Sequence, residues 1–111
     1  MKNLKGKKQI NLLFSEGNSL NAFPFRIIYF ESSETALGVS VGKRNFKLAV
    51  HRNRIKRQMR EAAKQHLWPV LSSSPKKYIL MIIYTGKEHL KWSQMIDDFQ
   101  QIVSKFKHNV L

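Results

Sequence analysis

The sequence predicts an α+β domain: a two-layer α/β sandwich with the element order α-β-β-α-β-α and room for one more short strand. Three observations predict it. Residues 36–44, ALGVSVGKR, alternate with period two, as a strand does. Residues 78–84, YILMIIY, are apolar throughout, as a strand buried on both faces is. Around them lie three segments whose apolar residues recur at helical spacing. Helices and strands in this order close as a helical layer on a sheet. At 111 residues the chain suits one domain, residues 1–111, and not two with separate cores.

In chain order, residues 7–17, KKQINLLFSEG, place Ile10, Leu13 and Phe14 on one helical stripe, and Gly17 is set to end that helix. Residues 23–31, FPFRIIYFE, are rich in β-branched and aromatic side chains and read as a strand. SSET, 32–35, is a turn. In the next strand Leu37, Val39 and Val41 point one way, and Gly38, Ser40 and Gly42 the other. That second face has almost no side-chain volume, so another element or a ligand backbone can lie close to it. A long helix spans about 50–67 and should stop near Pro69. The loop SSSPKK, 72–77, leads into the apolar strand, and TGKE turns the chain again. Residues 93–106 form the last helix, with Ser93 as N-cap and Met95, Ile96, Phe99, Ile102, Val103 and Phe106 as its apolar stripe.

Composition limits the function. Lys and Arg total 20 against 7 acids, a net charge of +13. Charge of one sign repels itself, and a polyanionic partner offsets that cost: nucleic acid first, an anionic membrane or heparin-like sugar second. Hydrophobic residues make up 42%, which separates the chain from a disordered basic tail. The absence of cysteine excludes disulfide and thiol chemistry. Lys2, Lys5, Lys7 and Lys8 are followed by no apolar signal-peptide core, and no run reaches the roughly 20 residues of a membrane helix. The expected setting is therefore cytoplasmic, with no membrane partner.

The charge concentrates in KRNFKLAVHRNRIKRQMR, 43–60, where 8 of 18 residues are Lys or Arg. On a helical wheel Ile55, Met59, Ala62, Ala63 and His66 face the core. Asn53, Arg57, Arg60 and Lys64 fall within an arc of roughly 60° on the opposite side. Arg54 and Glu61 flank that arc, Lys56 borders the apolar stripe, and Arg52 lies near the apolar side in the first turn. A solvated face normally mixes signs and gains from pairs four residues apart. Here like charges stack, and they stack at the end of the helix where its dipole disfavours cations. An external anion accounts for both features. Arg, which dominates, grips phosphate with two parallel hydrogen bonds and stacks on bases. No helix-turn-helix, zinc-ligand spacing or leucine zipper accompanies this helix, so DNA is not the expected partner. Strand aromatics beside a basic helix suit single strands or RNA.

The run RNRIKRQMREA, Arg52 to Ala62, resembles the signature of the bacterial ribonuclease P protein subunit. In that family it follows a strand like GVSVGKR, 38–44, and the likeness extends to INLLFSEGNS and YILMIIYTG. The resemblance implies a small protein that assists a large catalytic RNA in removing the 5′ leader of precursor tRNA. It implies that Arg52, Asn53, Arg54, Lys56, Arg57 and Arg60 meet the catalytic RNA, with Lys64 on the same face. Phe14, Ser40, Lys43 and Arg44 would then line the cleft for the single-stranded leader. It also implies a left-handed β-α-β crossover through the basic helix, against the usual hand. The family usually carries an aromatic where Ile10 stands; Phe23, Phe25 or Tyr29 could supply that ring, or serve as core. The linker NFKLAVH, 45–51, also differs from the shorter, glycine-containing form.

Nothing in the chain assembles a nuclease centre of its own. Only Asp97 and Asp98 are adjacent acids, and neighbours on a helix point about 100° apart. His51, His66, His89 and His108 lack ligand spacing. The expectation is an accessory subunit of an endoribonuclease, inactive alone, with Mg²⁺ held by RNA and substrate. The competing reading is a ribosomal or other structural RNA-binding protein, which explains the charge but not the RNRIKR run. A membrane-surface protein would place large apolar residues opposite the basic face, a side that is partly alanine here.

Overall fold

A computed structural model describes residues 1–4 and 6–111. Lys5, one of the four N-terminal lysines noted above, lies outside the described residues. The elements are α1 (Gly6–Glu16), β1 (Asn18–Ala22), β2 (Phe25–Ser32), β3 (Ala36–Val41), α2 (Ala49–Ala62), a π turn (Ala63–Leu67), α3 (Trp68–Ser73), β4 (Lys77–Tyr84) and α4 (Trp92–Asn109). The class is α+β, as expected. The strands form one sheet in the order β1-β2-β4-β3. β2 is antiparallel to both β1 and β4, whereas β3 runs parallel to β4. A parallel pair cannot be closed by a hairpin, so the chain from α2 to α3 forms the crossover.

β4 is apolar on both sides because both sides are covered. Leu80, Ile82 and Tyr84 join Phe25 and Ile27 of β2 and Leu37 and Val41 of β3 against one helical layer. That layer is built from Ile55 and Met59 of α2 and Met95, Phe99, Ile102 and Phe106 of α4. The opposite residues of the same strands, Ile28, Ala36, Ile79 and Met81, receive Leu13 of α1. Edge-on ring contacts, such as Phe25 with Phe99 at 5.4 Å, fix the relative placement of sheet and α4.

Several boundaries differ from the sequence reading. The additional short strand is β1, NSLNA, five residues that the periodicity did not locate. Its Asn and Ser have weak strand preference, and pairing with β2 decides the outcome. Phe23 and Pro24 belong to the turn between them, not to β2. The last helix starts at Trp92, so Ser93 is inside its first turn and caps nothing. The largest difference is at Pro69, where the chain does not stop but stays helical to Ser73. Pro has no N–H and is tolerated in the first turn of a helix, where that donor has no partner. The π turn prepares this: the Trp68 N–H reaches back five residues to the Ala63 carbonyl. The wider turn also moves the core position by one. Leu67 is fully buried where the wheel placed His66, and His66 is only half-buried.

Phe14 is likewise off the core stripe: it is 57% exposed, while its neighbour Leu13 is fully buried. Gly17 ends α1 through close approach, not through a left-handed backbone. A Cβ there would lie 2.3 Å from the Leu13 carbonyl oxygen and 2.8 Å from Ile28 Cγ2. Backbone must therefore move to admit any side chain, and Gly17→Ala is expected to destabilise the fold by roughly 1–3 kcal/mol. Urea unfolding checks this: the midpoint should fall with an unchanged slope.

Candidate nucleic-acid interface

The crossover helix must bury one side on the sheet, which leaves its other side to solvent. Ile55, Met59 and Ala62 are the buried side. Asn53, Arg54, Arg57 and Arg60 are all exposed, as is Lys64 in the π turn, and Lys56 is half-buried at the margin. The described residues contain two ion pairs, Lys2–Glu34 and Lys76–Glu31, and neither uses a cation of α2. Glu61, the acid on this helix, accepts a hydrogen bond from Gln65. The first turn of α2 has no acid and no side-chain cap, so nothing negative offsets the positive end of its dipole.

Arg52 is placed differently from the others. It is half-buried, and its Nη1 donates to the carbonyls of Phe46 and Lys47 at 2.7 and 2.8 Å. One edge of its guanidinium thus ties the 45–48 linker to the helix, a role the charge pattern did not reveal. Arg60 has a second setting as well. It lines a cavity of about 300 Å³ at the outer edge of β3, with Asn3, Leu4, Gly38 and Val39. There the N-terminal segment pairs with Leu37 alone: Leu37 N–H donates to the Lys2 carbonyl, and Leu4 N–H to the Leu37 carbonyl.

The small face of β3 is divided. Gly38 is packed, since a Cβ there would meet Leu4 at 3.2 Å and Met81 at 3.5 Å. Gly42 faces open space, and Ser40 between them is half-buried. Strand register sets Ser40 beside Ile83, Ile83 beside Arg26, and Arg26 beside Asn21. This row lies on the α1 side of the sheet, and Arg26 within it is exposed. The alternation of FRIIYFE carried the signal for Arg26, because it stands out of phase with buried Phe25 and Ile27. Phe14 is the exposed ring on α1. Lys43 and Arg44 are exposed in the turn after β3. Of the three rings weighed as replacements for an aromatic at Ile10, Phe25 is buried, Tyr29 packs on Phe106, and Phe23 alone is open.

No group of three or more His, Asp or Glu side chains that could hold a metal gathers among the described residues. Two histidines do meet. His51 in the first turn of α2 and His89 after β4 approach to 3.1 Å between Nδ1 and Nε2. A hydrogen bond between ring nitrogens needs one of them unprotonated. Burial against Phe46, then His51, then Arg54 hold the His89 pKa below its ordinary value. The unfolded chain therefore takes up this proton first as pH falls. The contribution of His89 to stability is complete above about pH 6.5 and declines as pH falls below it. Melting temperature should drop between pH 7.5 and 5, and His89→Gln should flatten that slope.

Comparisons with known proteins agree with this geometry. The Ribonuclease P family model matches residues 1–107. Ribonuclease P protein components from two strains of Porphyromonas gingivalis are 41% identical over 61 residues. That match covers 50% of this chain and 44% of each relative, so the chain spans under half the length of the curated relatives it matches. The RNase P protein of Staphylococcus aureus superposes with a TM-score of 0.79 at 22% identity, over 96% of both chains. That of Thermotoga maritima gives 0.76 at 21%, over 95% of this chain and 97% of its own. Identities this low speak for the fold alone. A family match over nearly the whole chain, on a fold shared end to end, places this protein in the Ribonuclease P protein family.

Proposed function

We propose that this chain is the protein component of ribonuclease P, acting in the cytoplasm on precursor tRNA beside a catalytic RNA. One observation carries the reading: a member of this family displays Arg54, Arg57, Arg60 and Lys64, free of ion pairs with any described acid, on the solvent side of its crossover helix. Arg54, Lys56, Arg57, Arg60 and Lys64 neutralise phosphates of the catalytic RNA, and Asn53 adds a neutral hydrogen-bonding amide beside them. Phe14, Ser40, Lys43 and Arg44 receive the 5′ leader, with Arg26 joining them from the same cross-strand row as Ser40. In this reading Mg²⁺ is held by the RNA and its substrate, and no carboxylate cluster competes for it among the described residues. Its own contribution is to lower phosphate repulsion where the two RNAs meet and to hold the leader in place.

The direct experiment is leader cleavage at low Mg²⁺ by a bacterial ribonuclease P RNA, with and without this chain. Cleavage should require both components, and the protein alone should be inactive. Lack of rescue by the folded protein across several such RNAs, with ribosomal RNA co-purifying instead, would reject the proposal.

Salt gives a second measure. If about five phosphates are neutralised, log K should fall against log salt with a slope of roughly −3.5 to −4.5. Arg57→Ala with Arg60→Ala should weaken assembly and flatten that slope by about 2. Both side chains are exposed, so thermal unfolding should barely move. A large loss of stability would instead assign them to the fold.

A further inference from the structure

Phe23 is 78% exposed, the most open of the large hydrophobic side chains described. It stands in the β1–β2 turn beside a cavity of about 400 Å³ that Pro24, Thr85, Lys87, Leu90 and Asp98 help to line. This size is within the range of small-molecule sites, about 300–1,000 Å³. Lys87 also lines a second cavity, with Arg44 and Asn45. One lysine thus separates a hollow with an aromatic wall from a hollow with a cationic one. The two lie at one end of the sheet, where the loops after β3 and β4 meet the turn before β2.

The loop carrying Lys87 is held from three sides. Thr85 N–H donates to the Pro24 carbonyl at 2.7 Å. Asn45 Nδ2 donates to the Gly86 carbonyl at 3.3 Å. The Tyr84 hydroxyl donates to the Glu88 carbonyl. Burial, then Asp98, then Glu88 raise the Tyr84 pKa above 10, so the phenol stays a donor. Gly86 lies so close to the Tyr84 ring that a Cβ there would meet its hydroxyl at 2.6 Å. A site built before its ligand arrives loses less freedom on binding.

We propose that this end of the sheet is a subsite for one nucleotide of single-stranded RNA, with the base against Phe23 and a phosphate between Lys87 and Arg44. It rests on the reading that the chain handles single-stranded RNA; it shares Arg44 with the leader surface, while its base hollow lies apart from Phe14 and Ser40. Those residues are on the α1 side, whereas Tyr84 and Asp98 belong to the α4 side. Every base has a face that stacks on an aromatic ring. Asp98 adds a preference. Its Oδ1 accepts a hydrogen bond from Gln94 at 3.0 Å, and its other oxygen is left to accept from an exocyclic amino group. Adenine, cytosine and guanine have that donor, and uracil does not. Glu88 on the same wall repels phosphate and so directs it to the Arg44 side.

The test is a titration of the full chain, ¹⁵N-labelled and free of RNA, with adenosine 5′-monophosphate, uridine 5′-monophosphate, adenosine and inorganic phosphate. Adenosine monophosphate should shift the Thr85, Gly86 and Lys87 amides saturably. Phe23→Ala should weaken it about fivefold or more. Lys87→Gln should weaken the monophosphate while leaving adenosine unchanged. Uridine monophosphate should bind more weakly, and Asp98→Asn should remove the difference. Inorganic phosphate producing the same shifts at the same affinity would overturn the subsite, as would indifference to both Phe23→Ala and Lys87→Gln. The titration needs no catalytic RNA. A chain that binds the nucleotide but supports no leader cleavage refutes the proposed function alone; the reverse result refutes the subsite alone.

Discussion

The parallel pairing of β3 with β4 is the constraint on which the rest depends. Two parallel neighbours cannot be joined by a tight turn, so the chain must travel back along the sheet. It does so as a helix, and a helix on a sheet has one side in the core and one in water. The buried side is fixed by Ile55, Met59, Ala62 and Leu67. What is left is an outer face on a packed support, and Arg54, Arg57 and Arg60 occupy it. Topology therefore comes first and the charge pattern second: the cationic surface is the unburied half of an obligatory connection.

The same logic explains how the molecule tolerates its charge. No charged side chain is among the buried residues described, so no described cation bears the full cost of desolvation. The repulsion is spread over the surface and weakened by water and salt. Glu34 and Glu31 form their ion pairs away from α2, near the turn between β2 and β3 and beside Lys76, and Glu61 on α2 accepts from Gln65. The field of the basic helix thus reaches solvent unreduced by any ion pair with a described acid.

Much of this was legible in the sequence, wherever one physical preference dominates. The alternation of ALGVSV, the apolar run of β4 and the stripe of α4 each answer to burial alone, and each is where periodicity places it. NSLNA was not legible, because its strand state comes from a partner and not from its own residues. Pro69 misled for the opposite reason: its local effect is strong, but a widened turn upstream absorbs it and shifts the core from His66 to Leu67. The exposed face of α2 was readable down to single arginines, since exposure is the complement of burial on a wheel. Arg52 was not, because its partners are carbonyls of a linker whose path no periodicity describes.

The strand order has a consequence for how the chain is made. β2 and β3 do not pair with each other; both wait for β4, which is synthesised after them. Until residues 77–84 leave the ribosome, the β1–β2 hairpin is the sole strand pair available. The arginine helix emerges before the strand that will hold it in place. Closure is thus a late event dominated by contacts distant along the chain, the kind that slows folding. A nascent chain in this state presents bare apolar strands and concentrated positive charge together, so its passage to the native state is a problem of timing as much as of stability.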